Sequence, residues 1–345
     1  MTSEAQLQPG DEAQREPEEP PFLTRVFITG GSGFVGRAVV RELVARGHKP
    51  VCLVRDRRKL LDALSDVPED RYEIICGDLF DADALFQAAD GAEAAIHLVG
   101  IIIENPLRNQ TFRRIHVEGT ERVLNACAAA GIRRYVHMSA LGTRPGATSR
   151  YHQTKWIAEN LVREGDLDWT IFRPSLIHGP DGEFMRMMRS LLCDATVRVL
   201  GFVPCPLPVI PYFGDGQRRV QPVSVRDVAA CFAAALSRPE TIGQIYELGG
   251  PEAMSWKELF RTCRDLMPGA KHWKPMLGQP VWAAKVMAQT VMRLPILPRM
   301  LRFNTDQVEM SQEDSICDIE PVERTFGVKM RDFREELAAY AARIT

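Results

Sequence analysis

The chain has 345 residues, 45% of them apolar, enough to bury one large core and a smaller lobe beside it. Its 43 lysines and arginines nearly balance 45 aspartates and glutamates, so no chain-wide field draws it to nucleic acid or to an acidic surface. The eight cysteines are scattered, with no C-x-x-C pair and no histidine at metal-ligand spacing, which argues against a zinc site or a disulfide framework.

Residues 1–21 are rich in Glu, Gln and Pro and nearly lack large apolar side chains, so they read as a disordered acidic tail rather than a targeting segment. Arg25 to Thr29 then reads as a buried strand. Gly30 to Gly36 follows as a glycine loop opening a helix that Gly47 ends. Strands are expected at Val51–Val54, Glu73–Cys76 and Ala94–Val99, with helices around Lys59–Leu64 and Ala82–Ala89 between them. The alternation continues with a helix over His116–Ala130, a strand over Tyr135–Ser139, a helix over Tyr151–Glu164 and a strand over Trp169–Phe172. Strands joined by helices must run parallel, with right-handed crossovers, in a sheet covered on both faces. The expected fold class is therefore α/β, a doubly wound Rossmann sheet over residues 22–180.

Residues 181–345 are expected to form a smaller, mostly helical C-terminal lobe, with about 222–250 returning to the sheet through a helix at Val225–Leu236 and a strand at Ile245–Leu248. Val203–Pro211 holds four prolines in nine residues and reads as a loop near the ligand cleft. No apolar run is long enough to span a membrane, because Val281–Leu301 is interrupted by Lys285, Arg293, Pro295, Pro298 and Arg299. Within it Trp282, Val286, Met287, Val291 and Leu294 recur at helical spacing, a stripe read first as core and second as a membrane-surface or partner-docking face. With the buried-looking cysteines of a reducing compartment, this gives a cytoplasmic expectation, with a peripheral inner-membrane location as its variant.

Gly30-Gly31-Ser32-Gly33-Phe34-Val35-Gly36 places G-x-x-G-x-x-G between a strand and a helix. Glycine is needed for the tight turn at Gly30, for close approach of a pyrophosphate at Gly33, and for helix-on-strand packing at Gly36. The helix tip offers free N–H groups and a partial positive charge to the phosphates, so Gly30, Ser32, Gly33, Phe34, Val35 and Gly36 are the expected dinucleotide cradle. At the end of the second strand, Arg55 and Arg58 stand in a run with Arg57 and Lys59 that suits the extra phosphate of NADP. Asp56 in the same run keeps NAD open, since a carboxylate there suits free ribose hydroxyls.

With these motifs the chain resembles the short-chain dehydrogenase/reductase superfamily in its extended or atypical branch. Gly77-Asp78-Leu79 is similar to the superfamily's adenine-contacting motif, and Leu98-Val99-Gly100 to its turn beside the cofactor riboses. Tyr151-His152-Gln153-Thr154-Lys155 is similar to the catalytic Y-x-x-x-K, and Ser139 stands where the superfamily carries its catalytic serine. Arg173-Pro174-Ser175-Leu176-Ile177 looks like the segment covering the nicotinamide, which implies Pro174, Ser175 and Ile177 as cofactor contacts. The resemblance implies that Tyr151 donates a proton to a carbonyl oxygen, that Lys155 holds the ribose and favours the ionised phenol, and that Ser139 orients the carbonyl. His116, ahead of Val117-Glu118-Gly119-Thr120, departs from the asparagine common in extended members.

Ser139-Ala140-Leu141-Gly142, Thr170-Ile171-Phe172-Arg173-Pro174-Ser175 and Gln221-Pro222-Val223 are most similar to the branch that contains the NADPH-binding accessory subunit of respiratory complex I. Three functions follow. One is a reductase or dehydrogenase acting with NADP(H) on an apolar carbonyl or quinone-like compound. The second is a non-catalytic NADPH-binding subunit docking through its C-terminal lobe on a membrane complex. The third is a nucleotide-sugar epimerase, for which Arg186, Arg189, Arg198, Arg218 and Arg219 would bind a diphosphate, whereas Met185, Met187, Met188, Leu191, Leu192 and Phe202 favour an apolar ligand.

Overall fold

The computed structural model describes residues 24–194, 196–199, 203–206, 208–290, 292 and 302–344. The expected tail at 1–21 lies outside them.

Strands and helices alternate as β1 (Arg25–Thr29), α1 (Phe34–Ala45), β2 (Lys49–Val54), α2 (Arg57–Ala63), β3 (Glu73–Cys76), α3 (Ala82–Ala89), β4 (Ala94–His97), α4 (Gly119–Ala129), β5 (Arg134–Met138), α5 (Arg150–Glu164) and β6 (Asp168–Pro174). The next elements are β7 (Ile177–His178), α6 (Glu183–Cys193), β8 (Thr196–Val199), β9 (Val203–Pro206), β10 (Ile210–Phe213), β11 (Arg219–Val220), β12 (Val223–Ser224), α7 (Val225–Ala235) and β13 (Gln244–Leu248). The C-terminal part adds β14 (Met254–Ser255), α8 (Trp256–Leu266), β15 (Met276–Gln279), α9 (Val281–Gln289), α10 (Thr305–Met310), α11 (Glu320–Phe326) and α12 (Phe333–Tyr340).

The central sheet has seven parallel strands in the order β13-β6-β5-β4-β1-β2-β3, so the order reverses between β1 and β4. Ligands of such sheets bind at that switch point, beyond the carboxyl ends of the strands. Alternation along each strand sends Val26, Ile28, Ile96, Val136 and Phe172 toward α1, α2, α7 and α11. Phe27, Ala95, Tyr135 and Ile171 point to the other face, toward α3, α4 and α5. Both faces are buried, as the all-parallel pairing requires. The expected return of the chain is met by β13, whose Gln244–Leu248 pairs in parallel with Thr170–Pro174 of β6. A third core joins Met185, Met188, Leu191 and Leu192 of α6 to α8 and α12.

Local chemistry explains the element ends. Gly47, at φ +83°, closes α1, and His48 N–H returns to the Leu43 carbonyl at 2.9 Å across that left-handed residue. Asp56, Asp81, Ser149 and Ser224 cap α2, α3, α5 and α7 with side-chain oxygens, each worth about 1 kcal/mol. The expected helix from His116 starts differently, because Arg113–Glu118 is wound as a π-helix that passes into α4.

Three expectations need correction. Val203–Pro211 is not a plain loop: β9 pairs antiparallel with β8, and β10 pairs in parallel with β15. In a two-stranded pair every strand has an open edge, and a proline whose missing N–H would face that edge costs the ladder nothing, so the prolines of β9 do not bar pairing. The stripe in Val281–Leu301 is not core where it is described, since Trp282 is 73% and Val286 53% exposed while Ala284 and Ala288 of α9 pack inward. Its Val291 and Leu294 lie outside the described residues. Met185, Met188, Leu191 and Leu192 are interior to the third core and so lend no support to an apolar ligand. No helix among the described residues is long and apolar enough to cross a membrane.

Candidate active site

The glycine loop is built as a cradle. Gly30 turns at φ +83°, and the Gly33 N–H closes back on the Gly30 carbonyl at 2.9 Å. A Cβ on Gly36 would stand 2.0 Å from the Gly30 oxygen and 2.7 Å from the Gly31 Cα, so only glycine lets α1 start this close to β1. Unlike α2, α3, α5 and α7, α1 has no side chain capping its first turn, where the residues are Phe34, Val35 and Gly36. An uncapped helix tip beside a turn that side chains cannot enter fits a pyrophosphate, whose oxygens would take up those N–H groups.

One end of this edge lies past β2 and β3. A cleft of about 500 Å³ opens there, lined by Arg55, Gly77, Asp78, Phe80 and Asp81. Arg55 and Arg58 are exposed, and neither side chain has an ion-pair partner among the described residues. Asp56, the residue that kept NAD open, accepts from Arg58 N–H at 3.0 Å and Lys59 N–H at 3.2 Å, so one carboxylate oxygen is committed to holding α2. Asp78 accepts from Phe80 N–H at 2.7 Å. Leu79 sits nearly buried against α4, where a Cβ on Gly119 would come within 2.7 Å of its Cδ1. Phe80, not anticipated from the sequence, fronts the cleft, with the Arg114 guanidinium 3.7 Å from its ring centroid.

At the other end of the switch point, α5 brings Tyr151 and Lys155 to the sheet on one face. Lys155 is buried, and its Nζ donates to the Met138 carbonyl at 3.0 Å, one residue before Ser139. Gly100 follows the nearly buried Leu98 and the half-buried Val99, and a Cβ on it would lie 3.2 Å from Lys155 Nζ, so the glycine lets the ammonium reach that turn. Desolvation pulls Lys155 down to about 8, against the charge of buried Glu159 one turn along α5, which holds it up. Glu159 is itself clamped by Arg173 through bonds of 2.9 and 2.7 Å. Burial lowers His97 to about 3 and His116 and His137 well below the ordinary value, so Lys155 is the cation among neutral imidazoles. Both His116 nitrogens have partners, the Thr154 hydroxyl at 2.9 Å and the Ile101 backbone at 3.1 Å, as a satisfied core histidine should.

Tyr151 is 9% exposed, and burial pushes its phenol up to about 12, so it carries its proton at neutral pH. Phe112, His116 and His152 stand edge-on to its ring at 5.9, 5.4 and 5.2 Å between centroids. Its hydroxyl makes no hydrogen bond to the described residues, whereas Ser139 donates to the Thr143 hydroxyl at 3.3 Å. Pro174 ends β6, Ser175 donates to the Ser315 carbonyl at 2.8 Å, and Ile177 pairs with Val223 of β12. Ser175 is thus tied to a segment that sequence reading missed, residues 302–317, which crosses this end of the site and sets Met310 against Phe112, Ala140 and Tyr151. The only trace of it in the sequence is the Asn304–Gln307 pair, a capping box that marks a helix start without saying what the helix covers.

Among relatives, the chain is 29% identical over 302 residues to the mitochondrial NADH dehydrogenase [ubiquinone] 1 alpha subcomplex subunit 9 of Arabidopsis thaliana, covering 84% of this chain and 70% of that protein. It is 32% identical over 248 residues to the ceramide reductase of Caulobacter vibrioides, covering 71% of each. The fold matches the UDP-glucose 4-epimerase of Thermotoga maritima with a TM-score of 0.65 and 17% identity, over 93% of this chain and 97% of that one. The model of the NAD dependent epimerase/dehydratase family matches residues 26–249, from β1 through β13. The chain belongs to that family, within the extended short-chain dehydrogenase/reductase superfamily that its glycine loop and Tyr151–Lys155 pair resemble.

Proposed function

We propose that this protein is an NADPH-dependent reductase of an uncharged, apolar carbonyl or quinone-like compound. The observation that carries the reading is a buried Tyr151 one helical turn from a buried Lys155, on one side of a switch point that itself holds the uncapped glycine loop. Similarity to a ceramide reductase supports a reductase, and Arg55 and Arg58, which have no ion-pair partner among the described residues, support NADPH over NADH.

Gly30, Ser32, Gly33, Phe34, Val35 and Gly36 would hold the pyrophosphate, Asp78 and Leu79 the adenine, and Leu98, Val99, Gly100 and Lys155 the ribose of the nicotinamide half. Pro174, Ser175 and Ile177 would back the nicotinamide through main chain and ring rather than through the Ser175 hydroxyl, which is engaged by Ser315. When bound, the reduced nicotinamide supplies a hydride. Ser139 orients the substrate carbonyl, Tyr151 gives its phenolic proton to the carbonyl oxygen as the carbon accepts hydride, and an alcohol and the oxidised nucleotide result. Lys155, charged below about pH 8, favours the phenolate left behind until solvent reprotonates it.

A second reading, a nucleotide-binding subunit that never turns over, is favoured by the cover over Tyr151 and by similarity to the complex I subunit. One experiment separates them. Nucleotide released from freshly purified, denatured protein is identified by mass spectrometry, and the intact protein is then offered ketones and quinones while NADPH absorbance is followed. Consumption of NADPH with alcohol or quinol formed in equal amount supports the reductase. NADPH that co-purifies and is oxidised by no compound sinks it in favour of the subunit.

A further inference from the structure

Residues 302–317 are sewn across the Tyr151 site from one wall to the other. Asn304 Nδ2 donates to the Ile102 carbonyl at 3.0 Å, beyond the β4 turn. Asp306, 2% exposed, accepts from the Arg150 N–H at 2.7 Å and from its guanidinium at 3.1 Å at the start of α5. Glu313 binds Arg144 at 2.9 Å, and Ser315 receives the Ser175 hydroxyl at 2.8 Å past the end of β6. Between these anchors Met310 packs on the Phe112, Ala140 and Tyr151 cluster.

The charges along this strap are spent on each other. Arg150 is bound by both Asp306 and Glu104, at 3.1 and 2.9 Å, Arg144 by Glu313, and Lys285 by Glu309 at 3.0 Å. A cation so paired offers a diphosphate little, because binding it would first cost the existing bonds. What the strap presents beside Tyr151 is a flexible, polarisable thioether side chain flanked by Phe112 and Ile101, a surface for aliphatic carbon. We propose that residues 302–317 are the substrate-selecting wall of this site, with Met310 the specificity-determining residue that limits the size of an uncharged apolar ketone admitted beside Tyr151. This rests on the reductase reading.

The test uses the full-length protein with NADPH, a series of 2-alkanones of increasing chain length, and UDP-glucose as the charged comparison. Binding is read by quenching of NADPH fluorescence and turnover by its absorbance. For Met310→Ala, the ratio of kcat/KM for the longest ketone to that for the shortest rises about tenfold, the worth of one to two methylenes in an apolar pocket, and Met310→Trp moves it the opposite way. Met310→Leu, of similar volume, keeps the ratio and controls for folding. In Arg150→Gln, hydrogen exchange across 302–317 quickens and the ratio also rises. Turnover with a ratio indifferent to both Met310→Ala and Met310→Trp overturns the wall while leaving the reductase standing. Wild-type protein that binds NADPH but neither binds nor reduces any ketone overturns the reductase reading and this inference with it. Quenching of NADPH fluorescence by UDP-glucose and by no ketone overturns the substrate class.

Discussion

The Lys155 ammonium donates to the carbonyl of Met138 at 3.0 Å, which fixes this buried cation to the end of β5, immediately before Ser139. Burial brings its folded value to about 8, below the ordinary 10.5. A lysine lowered on folding binds fewer protons in the native than in the unfolded chain between those values, so its contribution to stability rises with pH through that window. Catalysis needs the charged form and runs the other way. In nucleotide-free protein the buried thiols, held protonated by the fold, make the overall slope destabilising toward high pH, so the lysine is read as a difference: between pH 8 and 10.5 the stability of wild type relative to Lys155→Met should rise, while wild-type kcat/KM falls above about pH 8. A slope unchanged in Lys155→Met would show that the group titrates elsewhere.

The Tyr151 hydroxyl makes no hydrogen bond to the described residues, so removing it should cost the fold less than about 0.5 kcal/mol. Positioned proton transfer is worth about 10²–10⁴-fold. Tyr151→Phe is therefore expected to melt with the wild type and to bind NADPH normally, yet to lose at least about 100-fold in single-turnover reduction. Equal rates for the two proteins would remove Tyr151 from the chemistry.

Arg55 lines the cleft past β2 and β3 and Arg58 stands exposed on α2, both without carboxylate partners among the described residues, and a charge-assisted bond to a phosphate is worth about 1.5–3 kcal/mol. Arg55→Ala and Arg58→Ala should each weaken NADPH about tenfold while leaving NADH within about twofold, as read by fluorescence titration at fixed salt. Parallel weakening of both nucleotides would mean that the arginines serve only general electrostatics.

At Gly36 a methyl group would overlap the Gly30 carbonyl at 2.0 Å, against backbone that cannot swing aside. Overpacking of this kind costs about 1–3 kcal/mol. Gly36→Ala should melt lower than the wild type and, more tellingly, gain no thermal stabilisation from added NADPH. A normal nucleotide-induced shift would place the pyrophosphate away from the glycine loop.

The strands and helices from β1 to β6 were legible in the chain because two periodicities alternate there and glycines at Gly30 to Gly36 and at Gly47 mark the first joints. Gly30 to Gly36 was legible for a steric reason that is local, the absence of Cβ atoms where backbone meets backbone. The Tyr151–Lys155 pair was legible as spacing on one helix face. The proline-rich segment misled, since whether a proline disrupts a strand depends on which edge is open, and that is known only after β8 and β9 pair.

By itself, then, the sequence determined a doubly wound sheet, a glycine turn opening its first helix and a helix carrying a phenol and an amine four residues apart. Only the tertiary structure decided what those groups experience. Burial sets the charge of Lys155 and the proton on Tyr151, and residues 302–317 arrive from about 150 positions away to close the site. Spacing along a chain carries no information about desolvation or about a distant segment held by hydrogen bonds and ion pairs, because both depend on what the rest of the fold brings near.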